Sequence, residues 1–149
     1  MKIVIASDHS GFKVKEAVKA ALKNSPVNVV DFGCFSDEPV DYPQFAQSAV
    51  EAVLKGEMDR AILICGTGIG MSIVANRYPG IRAALVYNEE VARLSREHNN
   101  ANVLCLGAKQ MSQEQIIRII GIWLTTKFSR EKRHFRRIMQ INEMHLKRD

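Results

Sequence analysis

Short apolar runs alternate along the chain with longer segments in which apolar residues recur every three or four positions. The runs predict five strands, over residues 2–7, 27–32, 61–65, 81–87 and 103–106. The periodic segments predict helices over 12–22, 41–55, 72–77, 89–97 and 113–126, with a final helix over 130–147. Because strands and helices alternate, we expect a three-layer α/β/α sandwich with a five-stranded parallel sheet and an extra C-terminal helix.

Two of the predicted helices also indicate what surrounds them. In helix 12–22 we expect the buried face to consist of Phe12, Ala17, Val18, Ala21 and Leu22. Helix 113–126 is apolar around much of its circumference, since it carries five isoleucines, a tryptophan and a leucine. We therefore expect a neighbouring subunit to cover part of this second helix.

Composition and length place the chain among ordinary globular proteins. Its 149 residues are 46% hydrophobic and 25% charged, which fits one domain over residues 1–149. No apolar run approaches the roughly 20 residues of a membrane span, and the N-terminus lacks the pattern of a secretory signal. Three widely spaced cysteines favour reduced thiols over disulfides. We therefore expect a cytoplasmic protein that has no membrane partner.

The net charge of +5 is concentrated at one end of the chain. Residues 127–149 hold eight lysines and arginines against three acidic residues, which accounts for the whole excess. Such a basic segment favours a phosphate or nucleic-acid partner, and its other interpretation is a solvated helix face. Nucleic-acid binding is the weaker alternative, because Phe128 and Phe135 are the segment's only aromatic candidates for stacking on bases.

The stretch around Cys65 combines a buried strand with a glycine-rich turn. The apolar run 61–65 is typical of a parallel strand covered on both faces, and Gly66-Thr67-Gly68-Ile69-Gly70 follows it directly. Glycines let backbone N–H groups approach a ligand, and a helix N-terminus favours an anion. Ligands of such sheets bind at the carboxyl ends of the strands. Cys65 is therefore predicted to be a nucleophile or a base, with a buried, inert thiol as the alternative.

Other chemistries fit the sequence less well. The glycines after Cys65 miss the G-x-G-x-x-G/A dinucleotide fingerprint, because Met71 and Ile73 stand where a small residue is needed. The absence of a Gly-Lys-Ser/Thr sequence excludes the usual nucleoside-triphosphate loop. Cys34 and Cys105 lack glycine-rich flanks and are interpreted as structural. The cysteines and histidines show no metal-ligand spacing, so we predict no metal site.

The remaining polar candidates divide between the two edges of the predicted sheet. Asp8 and His9 follow the first strand, as Cys65 follows the third. His98 and Asn99, by contrast, end the helix before the fifth strand, and that helix returns to the opposite edge. These two residues therefore serve another site, or two chains meet to complete one. This conflict predicts an oligomer.

Five motifs carry a resemblance to a known family and occur in order over essentially the full chain: Ser7-Asp8-His9-Ser10-Gly11-Phe12, Asp41-Tyr42-Pro43, Ile64-Cys65-Gly66-Thr67-Gly68-Ile69-Gly70, Ser95-Arg96-Glu97-His98-Asn99 and Arg133-His134. Together they resemble ribose-5-phosphate isomerase type B, whose sister branch is galactose-6-phosphate isomerase. The resemblance implies a Rossmann-like subunit that works as a homodimer or homotetramer, with each site shared between subunits. It also implies interconversion of ribose 5-phosphate and ribulose 5-phosphate through an enediolate, in the pentose phosphate pathway, without metal or cofactor.

The resemblance assigns catalytic roles to four residues. Cys65 would be the base that moves a proton between C1 and C2 of the sugar. Thr67 would hydrogen-bond near the developing oxyanion, and Asp8 would help to orient the substrate. His98 would assist opening of the sugar ring, and it would come from the partner subunit. A thiol suits the proton transfer, because a shuttling base works best with a pKa near ambient pH.

The resemblance also assigns substrate contacts. The sugar and the oxyanion would meet Tyr42, Asn99, Gly66, Gly68, Ile69 and Gly70, and the phosphate would meet His9, Lys109, Arg133 and Arg137. Two departures from the family pattern stand out. Lys109 occupies a position where many relatives carry an arginine, and Arg130-Glu131-Lys132 replaces glycines that often precede the Arg-His motif. Galactose 6-phosphate, or another six-carbon aldose phosphate, stays open as an alternative substrate, because the two branches share the cysteine loop.

Overall fold

A computed structural model describes residues 1–144 of the chain. It contains one sheet of five parallel strands: β1 (Lys2–Ser7), β2 (Asn28–Asp31), β3 (Arg60–Cys65), β4 (Ala83–Leu85) and β5 (Val103–Gly107). The helices are α1 (Phe12–Leu22), α2 (Tyr42–Leu54), α3 (Ile69–Ala75), α4 (Glu89–Glu97), α5 (Gln113–Thr125) and α6 (Lys132–Glu143). None of these helices has the length and apolar character needed to cross a membrane. The predicted α/β fold with a five-stranded parallel sheet is confirmed.

Alternate side chains of the central strands point to opposite faces of the sheet and build two cores. Val4 and Ala6 of β1 pack with residues of α2 and α3 on one face. Ile3 and Ile5 pack with residues of α1, α4 and α5 on the other face. All four side chains are fully buried. The helices therefore form the two outer layers of the predicted sandwich.

The strand order β2-β1-β3-β5-β4 places β1 and β3 side by side in the middle of the sheet. Ser7 at the end of β1 pairs with Ile64, and Cys65 pairs with Gly107 at the end of β5. The chain leaves β1 toward one flank of the sheet and leaves β3 toward the other. In open α/β sheets a ligand binds outside the carboxyl ends of the strands at such a switch point. The fold therefore predicts a ligand site at the carboxyl ends of β1 and β3.

The two edge strands are shorter than the sequence predicted. β2 covers four residues rather than 27–32, and β4 covers three rather than 81–87. An edge strand has a neighbour on one side only, so side chains must satisfy part of its backbone. In β4, Asn76 bonds both backbone groups of Ala83, and Asn102 Oδ1 accepts from the N–H of Arg82. These contacts replace the ladder that the longer prediction assumed.

Helix α3 begins three residues earlier than predicted and ends at Ala75 rather than at 77. Gly68, directly before it, has a φ of +79°. A Cβ atom there would lie 2.7 Å from the Leu85 side chain and 2.9 Å from the backbone of Leu106. Only glycine fits this position, because it has no Cβ and tolerates a positive φ. The chain therefore turns sharply at Gly68, and the helix starts at once.

The buried face of α1 differs from the prediction at two positions. Ala21 is exposed, whereas Lys15 is fully buried. The Lys15 ammonium lies 2.5 Å from Asp31 Oδ2 and 3.0 Å from Glu16 Oε1, so the buried charge is paired. Burial opposes ionisation of Asp31, but hydrogen bonds from Lys15 and Lys19 outweigh it and lower the pKa of that carboxyl. Sequence periodicity missed Lys15 because it assigns lysine to solvent.

The apolar surface that the chain leaves most exposed lies on α3 and α6. Helices α1 and α4 cover most apolar side chains of α5, while Ile117 and Ile122 are only partly buried. That a neighbouring subunit covers part of α5 stays a prediction. Large exposed side chains are Ile69 and Ile73 on α3, and Phe135 and Met139 on α6. Helix α6 ends at Glu143. The rest of the helix predicted over 130–147, beyond residue 144, lies outside the described residues.

Candidate active site

An open cleft of about 440 Å³ lies at the carboxyl ends of β1 and β3. Nine residues line it: Asp8, Ser10, Tyr42, Cys65, Gly66, Thr67, Ile69, Gly70 and Ile73. A larger groove of about 520 Å³ runs between α1 and the edge strand β2. That groove contains lysines, a glutamate and apolar residues, but no thiol, histidine or glycine loop. The cleft is therefore the candidate active site, because the titratable and anion-binding groups converge there.

Cys65 lies at the floor of the cleft, at the last position of β3. Cys65 is 4% exposed and is one of the residues that line the cleft. The backbone N–H of Gly68 donates a hydrogen bond of 3.1 Å to Sγ, which fixes the sulfur against the glycine turn. The thiol is thus neither sealed in the core nor freely solvated.

The turn after Cys65 presents unused backbone donors to the cleft. The N–H groups of Gly66, Thr67 and Gly70 donate no hydrogen bond within the described part of the chain. That of Ile69 lies 3.3 Å from Thr67 Oγ1, which accepts from it. Free backbone donors in a cleft suit an oxyanion, since they are fixed in place before charge develops.

Two side chains close over this turn. A Cβ on Gly70 would lie 2.5 Å from the Tyr42 ring, so the ring packs directly on the bare backbone. A Cβ on Gly66 would lie 3.7 Å from the stem of Lys109 and 3.8 Å from Ser10. Lys109 is exposed and held beside the cleft by its backbone, whose N–H donates to the carbonyl of Gly66. Tyr42 and Lys109 therefore border the space above the thiol.

Asp8 and His9 follow β1 in a short 3-10 turn. Asp8 is 7% exposed, and its Oδ1 accepts a 3.0 Å hydrogen bond from the N–H of Gly11. Nδ1 of His9 lies 3.1 Å from the backbone nitrogen of Val40 and 3.2 Å from its carbonyl oxygen. Nδ1 accepts from the N–H in one tautomer and donates to the carbonyl in the other. In either tautomer the loop before α2 anchors the His9 ring.

A second cluster forms where α4 meets α6. His98 directly follows α4, and its ring stacks on that of His134 in α6, with centroids 4.1 Å apart and planes at 11°. His134 is 4% exposed, whereas Arg133 and Arg137 are exposed on the same helix. Arg133 Nε donates a 2.8 Å hydrogen bond to Glu131 Oε2. This cluster holds two imidazoles and two arginines near one helix end.

The two clusters lie at opposite edges of the sheet, as the sequence predicted for His98 and Asn99. Asn99 precedes β5, whose first residue, Val103, pairs with Ala61. Cys65 lies four residues further along β3, roughly 13 Å away at about 3.3 Å per residue. The structure thus brings Asp8, Tyr42, Cys65, Thr67 and Lys109 together. It does not bring His98, Asn99, Arg133 or Arg137 to them within one chain.

Sequence reasoning missed three residues near these clusters. Ser10 and Ile73 line the cleft, and His134 stacks on His98. Ser10 stands inside the Asp8–Gly11 turn, so its place after β1 was an available signal. His134 and Ile138 are both buried and lie four residues apart, which places them on the same inner face of α6. The apolar residue at position 138 was therefore a signal that His134 is buried.

The other two cysteines, Cys34 and Cys105, are buried and lie outside the lining of the cleft. Burial, together with the nearby Cys65, raises the pKa of Cys105 far above its usual value. Among residues 1–144 no group of His, Cys, Asp and Glu is arranged to hold a metal ion.

Comparison with known proteins connects this geometry with a family. The profile of the Ribose/Galactose Isomerase family matches residues 3–141. The chain belongs to this family. Ribose-5-phosphate isomerase B of Escherichia coli is 40% identical over 148 residues, which covers 99% of each chain.

Solved structures of family members have the same fold. A ribose-5-phosphate isomerase B from Clostridium thermocellum is 46% identical, with a TM-score of 0.96 over 99% of each chain. One from Mycoplasma genitalium, solved with bound ribulose 5-phosphate, is 41% identical, with a TM-score of 0.93. That comparison covers 99% of this chain and 97% of the other. The family therefore includes a protein that binds a five-carbon ketose phosphate on this fold.

Proposed function

We propose that this chain is a ribose-5-phosphate isomerase, a single sugar-phosphate isomerase domain that interconverts ribose 5-phosphate and ribulose 5-phosphate. Membership of the ribose/galactose isomerase family supports the reaction, and the ribulose 5-phosphate complex of a relative supports the substrate. The observation that carries the mechanism is the Cys65 thiol on the cleft floor, bonded by the N–H of Gly68. The three cysteines are free, which supports work in a reducing compartment such as the cytoplasm.

Cys65 acts as the base of the isomerisation. Its thiolate takes the proton from C2 of the open-chain aldose, and negative charge develops on O1. The free N–H groups of Gly66, Thr67 and Gly70 stabilise that charge. The thiol then gives the proton to C1, while the proton of the O2 hydroxyl passes to O1. One residue thus serves both carbon atoms, and the residues need no metal or cofactor for this step.

The active enzyme is a homodimer, or a pair of dimers, with each site shared between two subunits. Exposed apolar residues flank both clusters, with Ile69 and Ile73 beside the cleft and Phe135 and Met139 on α6. In a two-fold dimer, the apolar residues beside the cleft of one subunit can pack against α6 of the other, and symmetry forms this contact twice. The partner would then carry its His98 to the cleft, which resolves the separation within one chain.

The phosphate binds among positive side chains from both subunits. His9 follows β1 and Lys109 follows β5, at the edge of the sheet where the cleft lies, and Arg133 and Arg137 come with α6 of the partner. Arg133 is bonded to Glu131 in the free chain, but both side chains are more than half exposed. Exposed pairs contribute little, about 0–1 kcal/mol, so a phosphate dianion can displace the carboxylate. Neither a nucleic acid nor a membrane is needed to explain the basic helix.

Turnover of purified protein on five- and six-carbon sugar phosphates tests the proposed substrate. We expect ribose 5-phosphate to be converted with EDTA present and galactose 6-phosphate to be converted far more slowly. A preference for galactose 6-phosphate would assign the chain to the sister branch. No turnover of either sugar would contradict the proposed function itself.

Substitution of His98 by asparagine separates ring opening from isomerisation. We expect His98→Asn to slow turnover of ribose 5-phosphate, which is mostly cyclic, by about 10²-fold, the low end for general acid–base catalysis. Ribulose 5-phosphate cannot form this ring, so its turnover falls much less. The measurement is the ratio of the two kcat values at saturating sugar, because the ratio of the two kcat/KM values equals the equilibrium constant in every variant. Equal losses on the two substrates would contradict a role in ring opening.

Substitution of Arg137 by alanine tests the proposed phosphate contact. We expect Arg137→Ala to raise KM for ribose 5-phosphate about tenfold or more, because a charge-assisted contact to the dianion is lost. Arg136→Ala is the matched control, since Arg136 is exposed on the same helix with the same charge. An equal rise of KM in both variants would mean that only the general charge of α6 matters.

A further inference from the structure

The stacked histidine pair contains a residue that the proposed mechanism does not use. His134 is 4% exposed, and its ring lies parallel to that of His98 at 4.1 Å. Its Nε2 is buried without a hydrogen-bond partner among the described residues, and the nearest carboxylate oxygen, Glu131 Oε2, is 3.9 Å away. A buried imidazole normally satisfies its nitrogens. His134 therefore occupies this position for a reason other than a hydrogen bond through Nε2.

The His98 ring has little else to hold it. No hydrogen bond of its side chain occurs within residues 1–144, and the residue follows the last turn of α4. The backbone after it bends away, since Asn100 has a φ of +46°. By contrast, the segment that leads to α6 is fixed to α4, because the N–H of Ser129 donates to the carbonyl of Glu97. This bond holds the start of α6 against the end of α4, so the His134 ring is kept at a fixed place beside His98.

We propose that His134 is a positioning residue for ring opening, and that its flat ring fixes the plane of the His98 imidazole. This inference rests on the proposed function, in which His98 acts on the cyclic sugar in the partner's cleft. A proton donor must be aligned with the ring oxygen, and a small misplacement has a large cost in rate. Stacking fixes the orientation of the His98 ring while both of its nitrogens stay free for the substrate.

The charges around the pair suit this role. The charged groups that act on His134 are Glu131, Arg133 and Arg137, together with His98 on its other side. Burial, then the nearby His98 and Arg133, lowers the pKa of His134, with a smaller opposing effect from Glu131 and a further lowering by Arg137. The lowered pKa favours the neutral form of His134, which places no second positive charge beside the His98 ring.

Three variants of His134 test the proposal. His134→Phe keeps a flat ring and removes both nitrogens, whereas His134→Leu and His134→Asn remove the aromatic ring. We expect His134→Phe to keep ribose 5-phosphate turnover within about twofold of the native rate. At saturating substrate, we expect the other two to lose about tenfold in kcat on ribose 5-phosphate and much less in kcat on ribulose 5-phosphate. The asparagine variant covers the case in which a leucine prevents folding, and dimer content is checked for each protein.

Each contrary outcome has a distinct meaning. Equal losses on both substrates would show a merely structural role and overturn the proposal. If His134→Phe loses as much activity as His134→Leu, a nitrogen atom of His134 rather than its flat ring is required. That result would overturn the proposal that stacking positions His98. If His98→Asn loses as much kcat on ribulose 5-phosphate as on cyclic ribose 5-phosphate, the proposed role of His98 in ring opening is wrong. The ratio of kcat losses in His98→Asn therefore distinguishes an error in the role of His98 from an error in the role of His134.

Discussion

Cys65→Ala is expected to lose at least about 10³-fold of kcat in both directions, because a general base contributes roughly 10²–10⁴-fold and no other group can replace it. The loss falls on kcat, since the phosphate contacts that determine binding are untouched. Alanine fits the same buried position at the end of β3, so fold and oligomeric state are retained. Initial rates on ribose 5-phosphate and ribulose 5-phosphate, with gel filtration for the assembly, provide the measurement.

Cys34→Ala is the matched control for this substitution. Cys34 has the same 4% exposure as Cys65, and its sulfur donates to the carbonyl of Ser36 outside the cleft. We expect this variant to keep near-native kcat, with at most a modest loss of stability. Substantial turnover by Cys65→Ala would show that the thiol is not the base. An equal loss in both cysteine variants would point to damage of the fold rather than of the chemistry.

The position of Cys65 could be predicted because local chemistry determines it. The apolar run before Cys65 has to be buried in the sheet. The three glycines after the thiol then let the chain turn at once. Parallel pairing then brings the end of β3 beside Asp8 and Gly107. The same topological rule predicted that His98 would lie at the opposite edge, and the structure agrees. Both conclusions depend on the common direction of the strands, which follows from the alternation of strands and helices. The order of the strands in the sheet was not predicted.

Features that depend on contacts between distant segments were not predictable. Nothing in the spacing of α4 and α6 indicates that His98 and His134 meet ring to ring. Lys15 was assigned to solvent because its burial requires Asp31, which lies on a different element. The side-chain bonds of Asn76 to Ala83 and of Asn102 to Arg82, at the edge strand β4, are further contacts that no local pattern reveals. In each case the missing information is a pairing of side chains far apart in sequence.

The division of the site residues between two edges leads to the second large expected effect, which is complementation between inactive chains. If each site combines Cys65 of one subunit with His98 of the other, a dimer of Cys65→Ala and His98→Asn chains has one fully native site. The other site carries both defects. Heterodimers purified through two different tags should recover about half of the native specific activity, as two-fold symmetry requires. Turnover of ribose 5-phosphate is the measurement.

Heterodimers of His98→Asn and Arg137→Ala chains are the control. Both changes lie in the cluster that each subunit donates, so every site in this heterodimer keeps one defect. Its activity should not exceed the mean of the two parent homodimers. If the Cys65→Ala and His98→Asn heterodimer also fails to exceed its parents, the two residues do not work in one shared site. The distance between them within the chain would then require His98 to serve a different purpose.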